Sequence, residues 1–181
     1  MTETGAHLSV PVSERDHAQG PADAPLTLVE YGDFECSYCG AAYPIIKETQ
    51  RRLGDRLRFV FRNFPISTSH PRAQAAAEAA EAAGAQGKYW EMHDILYERQ
   101  DTLEDADLLG FAEELGLDSE RFDREMRERR YEDRVREDFL SGVRSGVNGT
   151  PTFYIDGARY DGAWDGDHLL RALEHAAGAT G

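Results

Sequence analysis

Both cysteines of this chain fall in one motif, Glu35-Cys36-Ser37-Tyr38-Cys39-Gly40. Apolar residues at 41, 42, 45, 46 and 53 recur at helical spacing and stop at Gly54, which predicts a helix with the cysteines at its N-terminus. Unpaired N–H groups and the positive end of the helix dipole favour a thiolate there, and the thiolate is the nucleophile of disulfide exchange. A sulfur three residues on, about one turn away, can close a small-loop disulfide or resolve a mixed one. The expected roles are therefore distinct, with Cys36 the exposed attacking sulfur and Cys39 the shielded, resolving one. The same spacing is also half of a zinc site. Its second half is missing, because no other cysteine exists and His7, His17, His70, His93, His168 and His175 form no H-x3–5-H pair. A redox pair is expected and no metal; a merely structural pair is the bland alternative.

Glu30 lies six residues before Cys36. On a buried strand its carboxyl would sit beneath the sulfurs as a proton acceptor, whereas on a solvated edge it would do nothing. Asp33 and Glu35 add negative charge that opposes thiolate formation at Cys36. Further on, Gly149-Thr150-Pro151-Thr152-Phe153 sets a proline directly before a strand, a placement that often marks a cis bond.

The elements that must position these groups follow from periodicity and breakers. A short strand is expected at 8–12 in an N-terminal arm punctuated by Pro11, Gly20, Pro21 and Pro25. Strands are expected at 26–31 and at 57–64, where Leu57, Phe59 and Phe61 alternate against Arg58 and Arg62. Pro44 is expected to kink the helix between them. From 72 to about 144 the pattern is helical, beginning with an Ala-rich stretch and an aromatic stripe of Tyr89, Trp90, His93 and Tyr97 that reads as core. Helices are expected near 105–115, 119–129 and 131–145. Arg127, Arg129 and Arg130 interleave with Glu125, Glu128, Glu132 and Asp133, as on a solvated face. His70 before Pro71 reads as a turn or capping residue, with a place near the redox centre as the second reading. Asp156-Gly157 predicts a hairpin, and a helix over 167–177 closes the chain.

With 181 residues and 40% apolar composition, one domain is expected. Twenty basic against 34 acidic residues give a charge of -14, which repels nucleic acid and anionic membranes. No run approaches the roughly 18 apolar residues of a membrane span. The first twenty residues hold no basic segment followed by an apolar run, so cytoplasmic residence is expected if Met1 is the natural start.

Taken together, Val29-Glu30-Tyr31, the Cys36-Ser37-Tyr38-Cys39 motif, Pro44, the long helical middle and Thr150-Pro151 resemble the DsbA-like branch of the thioredoxin superfamily. The resemblance covers about residues 22–178 and is most specific over 29–39, 63–71 and 149–157. It implies an α/β fold, thioredoxin-like, with a central mixed sheet of four or five strands and a helical insertion over about 66–146 within a domain at 22–181, after an extension at 1–21. It also implies that Cys36 is the nucleophile, Cys39 the resolving thiol, Pro151 a cis-proline whose loop faces the cysteines, and Thr150 a lining of the sulfur pocket. The implied function is thiol-disulfide oxidoreduction of cysteine-bearing polypeptides through strand addition, with a further redox partner and no cofactor, as a monomer or homodimer. Ser37-Tyr38 stands where the periplasmic oxidant has Pro-His, which argues against a strongly oxidising role. A sensor or scaffold whose cysteine pair switches partner binding without turnover is the second reading. Conjugation with glutathione, as in some relatives, rests on a different motif.

Overall fold

The computed structural model describes residues 5–179, so the expected start at Met1 lies outside the described residues. The described residues divide into two compact units, one of residues 5–32, 41–62 and 141–179, the other of 33–40 and 63–140.

The first unit holds a five-stranded sheet ordered β1-β3-β2-β4-β5, formed by β1 (His17–Gln19), β2 (Leu26–Gly32), β3 (Leu57–Asn63), β4 (Thr152–Ile155) and β5 (Ala158–Tyr160). The β1–β3, β2–β4 and β4–β5 ladders are antiparallel. All but one residue of β2 and of β3 is buried, the pattern of strands covered on both faces. This alters the reading of β3 as a simple alternation, since Val60 and Arg62 are also buried. Burial of Arg62 is possible because Asp16 answers its charge at 2.8 and 3.0 Å.

The same arginine explains why the expected strand at 8–12 does not form. Its guanidinium donates to the carbonyls of Val10 and Pro11, and Pro11 has no N–H for a ladder, so β1 begins only at His17. The hairpin between β4 and β5 turns on Asp156 (φ 49°) and Gly157 (φ 88°), the two left-handed positions a two-residue turn requires. Asp156 also accepts from the Thr27 amide and donates its own amide to Thr27 O, which pins the turn to β2. Helix α7 (His168–Ala179) closes the unit.

The second unit is helical, with α2 (Ala73–Gly84), α3 (Tyr89–Glu98), α4 (Asp105–Glu114), α5 (Ser119–Arg127) and most of α6 (Glu132–Arg144). Alanine side chains bury most of α2, allowing close approach of α3, α4 and α5. Of the aromatic stripe, Tyr89, His93 and Tyr97 are core as expected, while Trp90 is half-buried. His93 lies 4.9 Å from Trp90 and 5.2 Å from Tyr97, and the Phe34 ring packs at a tilt 4.9 Å from Tyr97. The expected solvated face at 125–133 is partly wrong, because Glu125 is buried and bonded by Arg121 and Tyr131, while Arg129 clasps buried Glu78.

Candidate active site

Helix α1 (Ser37–Leu53) starts directly after Cys36, which occupies its N-cap position, with Pro44 inside the helix. The Gly40 amide donates to Cys36 O at 3.0 Å, the first intrahelical bond. Residues 33–40, which include this first turn, group with the helical unit. Cys36 is 5% accessible and Cys39 0%, so the nucleophile expected to be exposed is nearly buried, though the order of the two is as expected. Between them Tyr38 is 68% exposed, because its position on the first turn points away from the core that takes up both cysteines.

The motif is held by its upstream loop. Asp33, fully buried, accepts the amides of Glu35 (2.8 Å) and Cys36 (3.2 Å) on Oδ1, and the Ile66 amide (2.9 Å) on Oδ2. The same Oδ2 lies 2.7 Å from His70 Nδ1. Glu35 is turned to a separate task, accepting the Arg72 amide at the start of α2 at 2.6 Å. The charges read from sequence as simply opposing the thiolate are therefore each engaged by donors. Phe34 anchors the loop between them among the α3 rings.

Gln100 completes the loop, its amide donating to Phe34 O (3.0 Å) and Cys36 O (2.6 Å). A Cβ at Gly40 would come within 2.3 Å of Gln100 Oε1, so the glycine of the motif makes room for this clasp. Sequence reasoning missed Gln100, a polar turn residue 64 positions from Cys36 with no pattern of its own. It noted His70 as a turn residue. The backbone bears this out through His70 N to Ile66 O and Ala73 N to His70 O, but its pairing with Asp33 was not foreseen.

His70 holds its proton above the ordinary histidine range. Burial opposes this, but the hydrogen bond and charge of Asp33, with the charges of Cys36 and Glu35, outweigh it.

The remaining predicted residues lie in the sheet unit. Glu30 is 2% accessible in the central strand β2, opposite Phe153, which rules out the solvated-edge placement. The Thr150–Pro151 peptide is cis and leads into β4. Among the described residues, no group of three or more His, Cys, Asp or Glu side chains is placed to hold a metal, and no helix is long and apolar enough to cross a membrane.

The family model described as Thioredoxin matches residues 12–175. The chain belongs to the thioredoxin family. Within it, the fold is that of DsbA-like members. BdbD from Bacillus subtilis superposes with a TM-score of 0.83 at 23% identity, covering 96% of this chain and 99% of that one. A thioredoxin-like oxidoreductase from Silicibacter pomeroyi superposes at 0.79 with 28% identity, covering 91% and 93%. The thiol-disulfide exchange protein alpha-DsbA2 of Wolbachia pipientis does so at 0.76, with 21% identity, covering 93% and 88%. By sequence, this thioredoxin-family chain is also 48% identical over 174 residues to the Na(+)/H(+) antiporter NhaA 1 of Salinispora arenicola, covering 96% of this chain and 26% of that protein. The chain thus spans about a quarter of the length of that curated relative. A thioredoxin-like fold with a Cys-x-x-Cys pair at a helix start is the architecture of an oxidoreductase.

Proposed function

We propose that the chain is a protein thiol-disulfide oxidoreductase in which the Cys36 thiolate attacks a substrate disulfide and Cys39 releases the resulting mixed disulfide. The observation that carries this reading is the N-cap placement of Cys36 at α1, with Cys39 one turn on and fully buried. In the reducing direction Cys36 Sγ bonds one substrate sulfur while the other leaves as a thiolate. Cys39 then displaces the substrate and closes the Cys36–Cys39 disulfide, so two electrons pass to the substrate and a redox partner must restore the dithiol. Buried Glu30 is the proposed proton acceptor. Thr150 and Pro151 are the proposed contacts for an extended cysteine-bearing polypeptide, paired by strand addition.

The proposed setting is a reducing cytoplasm. A Cys36–Cys39 potential near about -270 mV in glutathione buffers supports a reductase there, and one near about -120 mV an exported oxidant. The antiporter name belongs to proteins about four times longer, and we propose exchange chemistry, not ion antiport, for the segment they share with this chain. Substoichiometric reduction of insulin, with Cys36→Ser as the blank, tests the function. Repeated turnover is expected. One stoichiometric round and no more would instead favour the sensor reading.

A further inference from the structure

The loop that carries Cys36 contains an arrangement the exchange step by itself does not require. A buried carboxylate oxygen lies 3.2 Å from the Cys36 amide nitrogen, and only three bonds separate that nitrogen from Sγ. The Asp33 charge is therefore within about 7.5 Å of the sulfur. Alone, such a carboxylate would penalise a thiolate. Its other oxygen is 2.7 Å from a ring nitrogen of His70, whose side chain is 27% accessible and so in proton exchange with solvent. Cys36 thus faces a nearly neutral pair when His70 is cationic, and a bare carboxylate when it is not.

We propose that Asp33 and His70 act as a coupled pair of positioning residues for Cys36: Asp33 fixes the loop, and the His70 cation cancels its charge so that the attacking sulfur can ionise. The proposal rests on the reading of Cys36 as that sulfur. Titratable groups that face the pair include Glu35 in the same loop and Tyr97 from α3, whose hydroxyl donates to Asp33 O. Glu35 is occupied by the Arg72 amide. The Arg72 guanidinium itself is directed to Leu103 O and Asp105 and not to the thiol. His70, when protonated, is a cation paired with the carboxylate that caps the Cys36 amide. Its raised proton affinity, to which Cys36 contributes, accords with this coupling. Linkage makes the coupling reciprocal, so that each group shifts the other's titration equally.

The test is a titration of the reduced protein followed by ultraviolet thiolate absorbance. In His70→Ala the Cys36 titration is expected to move up by about one pH unit. Exchange at neutral pH then slows about tenfold and recovers as the pH is raised. A purely structural role would slow exchange equally at every pH. Overlapping titrations of wild type and His70→Ala would overturn the proposal. Should His70→Ala fail to fold, the reciprocal measurement uses Cys36→Ser, in which the His70 imidazole followed by NMR is expected to titrate at lower pH than in the reduced wild type. An unchanged His70 titration would overturn it equally. Loss of insulin turnover in the wild type with the titration shift intact would instead remove the functional reading and leave the coupling standing.

Discussion

The two units each bury an ionic node, and the nodes are built from different chemistry. In the sheet unit Arg62 bonds Asp16, the Tyr31 hydroxyl and two arm carbonyls. Burial works against that cation, yet Asp16 and Tyr31 hold its pKa above the ordinary arginine value, so the node keeps its charge at any working pH. In the helical unit Asp33 is paired with a histidine, the side chain whose charge changes near neutrality. A fixed cation ties down an arm and a strand. A titratable one stands beside the group proposed to need a variable charge. Where a fold needs only a staple, arginine serves; a histidine in the equivalent role adds a pH dependence that the proposed exchange chemistry can use.

The largest effect that would break this contrast is on Arg62. Arg62→Met leaves Asp16 buried without its partner and is expected to cost about 3–5 kcal/mol, read as a lower denaturation midpoint. The loss should be nearly constant from neutral to mildly alkaline pH, and smaller in acid, where the unpaired Asp16 takes up a proton. A loss that changed between neutral and mildly alkaline pH would make the intact node titratable too, and the contrast would fail.

Next in size is Asp138, a third buried group, which accepts from the Asn63 amide and side chain in the helical unit. Burial pushes it up to about 6 from 3.8, Glu81 adding to the shift while Arg134 and Asn63 oppose it. A carboxyl whose folded pKa is raised binds its proton more tightly when folded. Its stabilising contribution is therefore complete below about 4 and lost as pH rises through about 6. That loss is on the order of 3 kcal/mol. Urea midpoints of the wild type should fall across this window and those of Asp138→Asn should not. His70 has the same sign, its stabilisation being full below the unfolded histidine value and lost as pH passes its raised folded one, but on a partly exposed ring the effect is smaller.

The smallest expected effect sharpens the account of the loop. Gly40→Ala forces Gln100 off the carbonyls of Phe34 and Cys36, costing about 1–2 kcal/mol in hydrogen bonds, offset by up to about 1 kcal/mol of helix propensity. A net loss of about 1 kcal/mol is expected from unfolding curves, and a net gain would show that the Gln100 clasp contributes nothing.

Much of this was legible in the sequence, for reasons of range. The strands at 26 and 57, the Asp156-Gly157 hairpin and the helix after Cys36 depend on neighbours within a few positions, and they appear where expected. What was not legible depends on residues far apart in the chain. Arg62 looked like the polar half of an alternation because Asp16 is 46 positions away. Asp33 looked like a charge opposing the thiol because its donors at 66 and 70 belong to another loop. Glu125 looked solvated because the ring that covers it, Tyr131, follows a turn at Arg129 with φ 54°, which no helical periodicity announces.

The central claim, that Cys36 attacks and Cys39 resolves, is tested most directly by trapping. With Cys39→Ala and a disulfide-bearing peptide, a stable mixed disulfide is predicted on Cys36, while Cys36→Ala should give none on Cys39 under the same conditions. Adducts of equal yield on either cysteine, or none on Cys36, would contradict it.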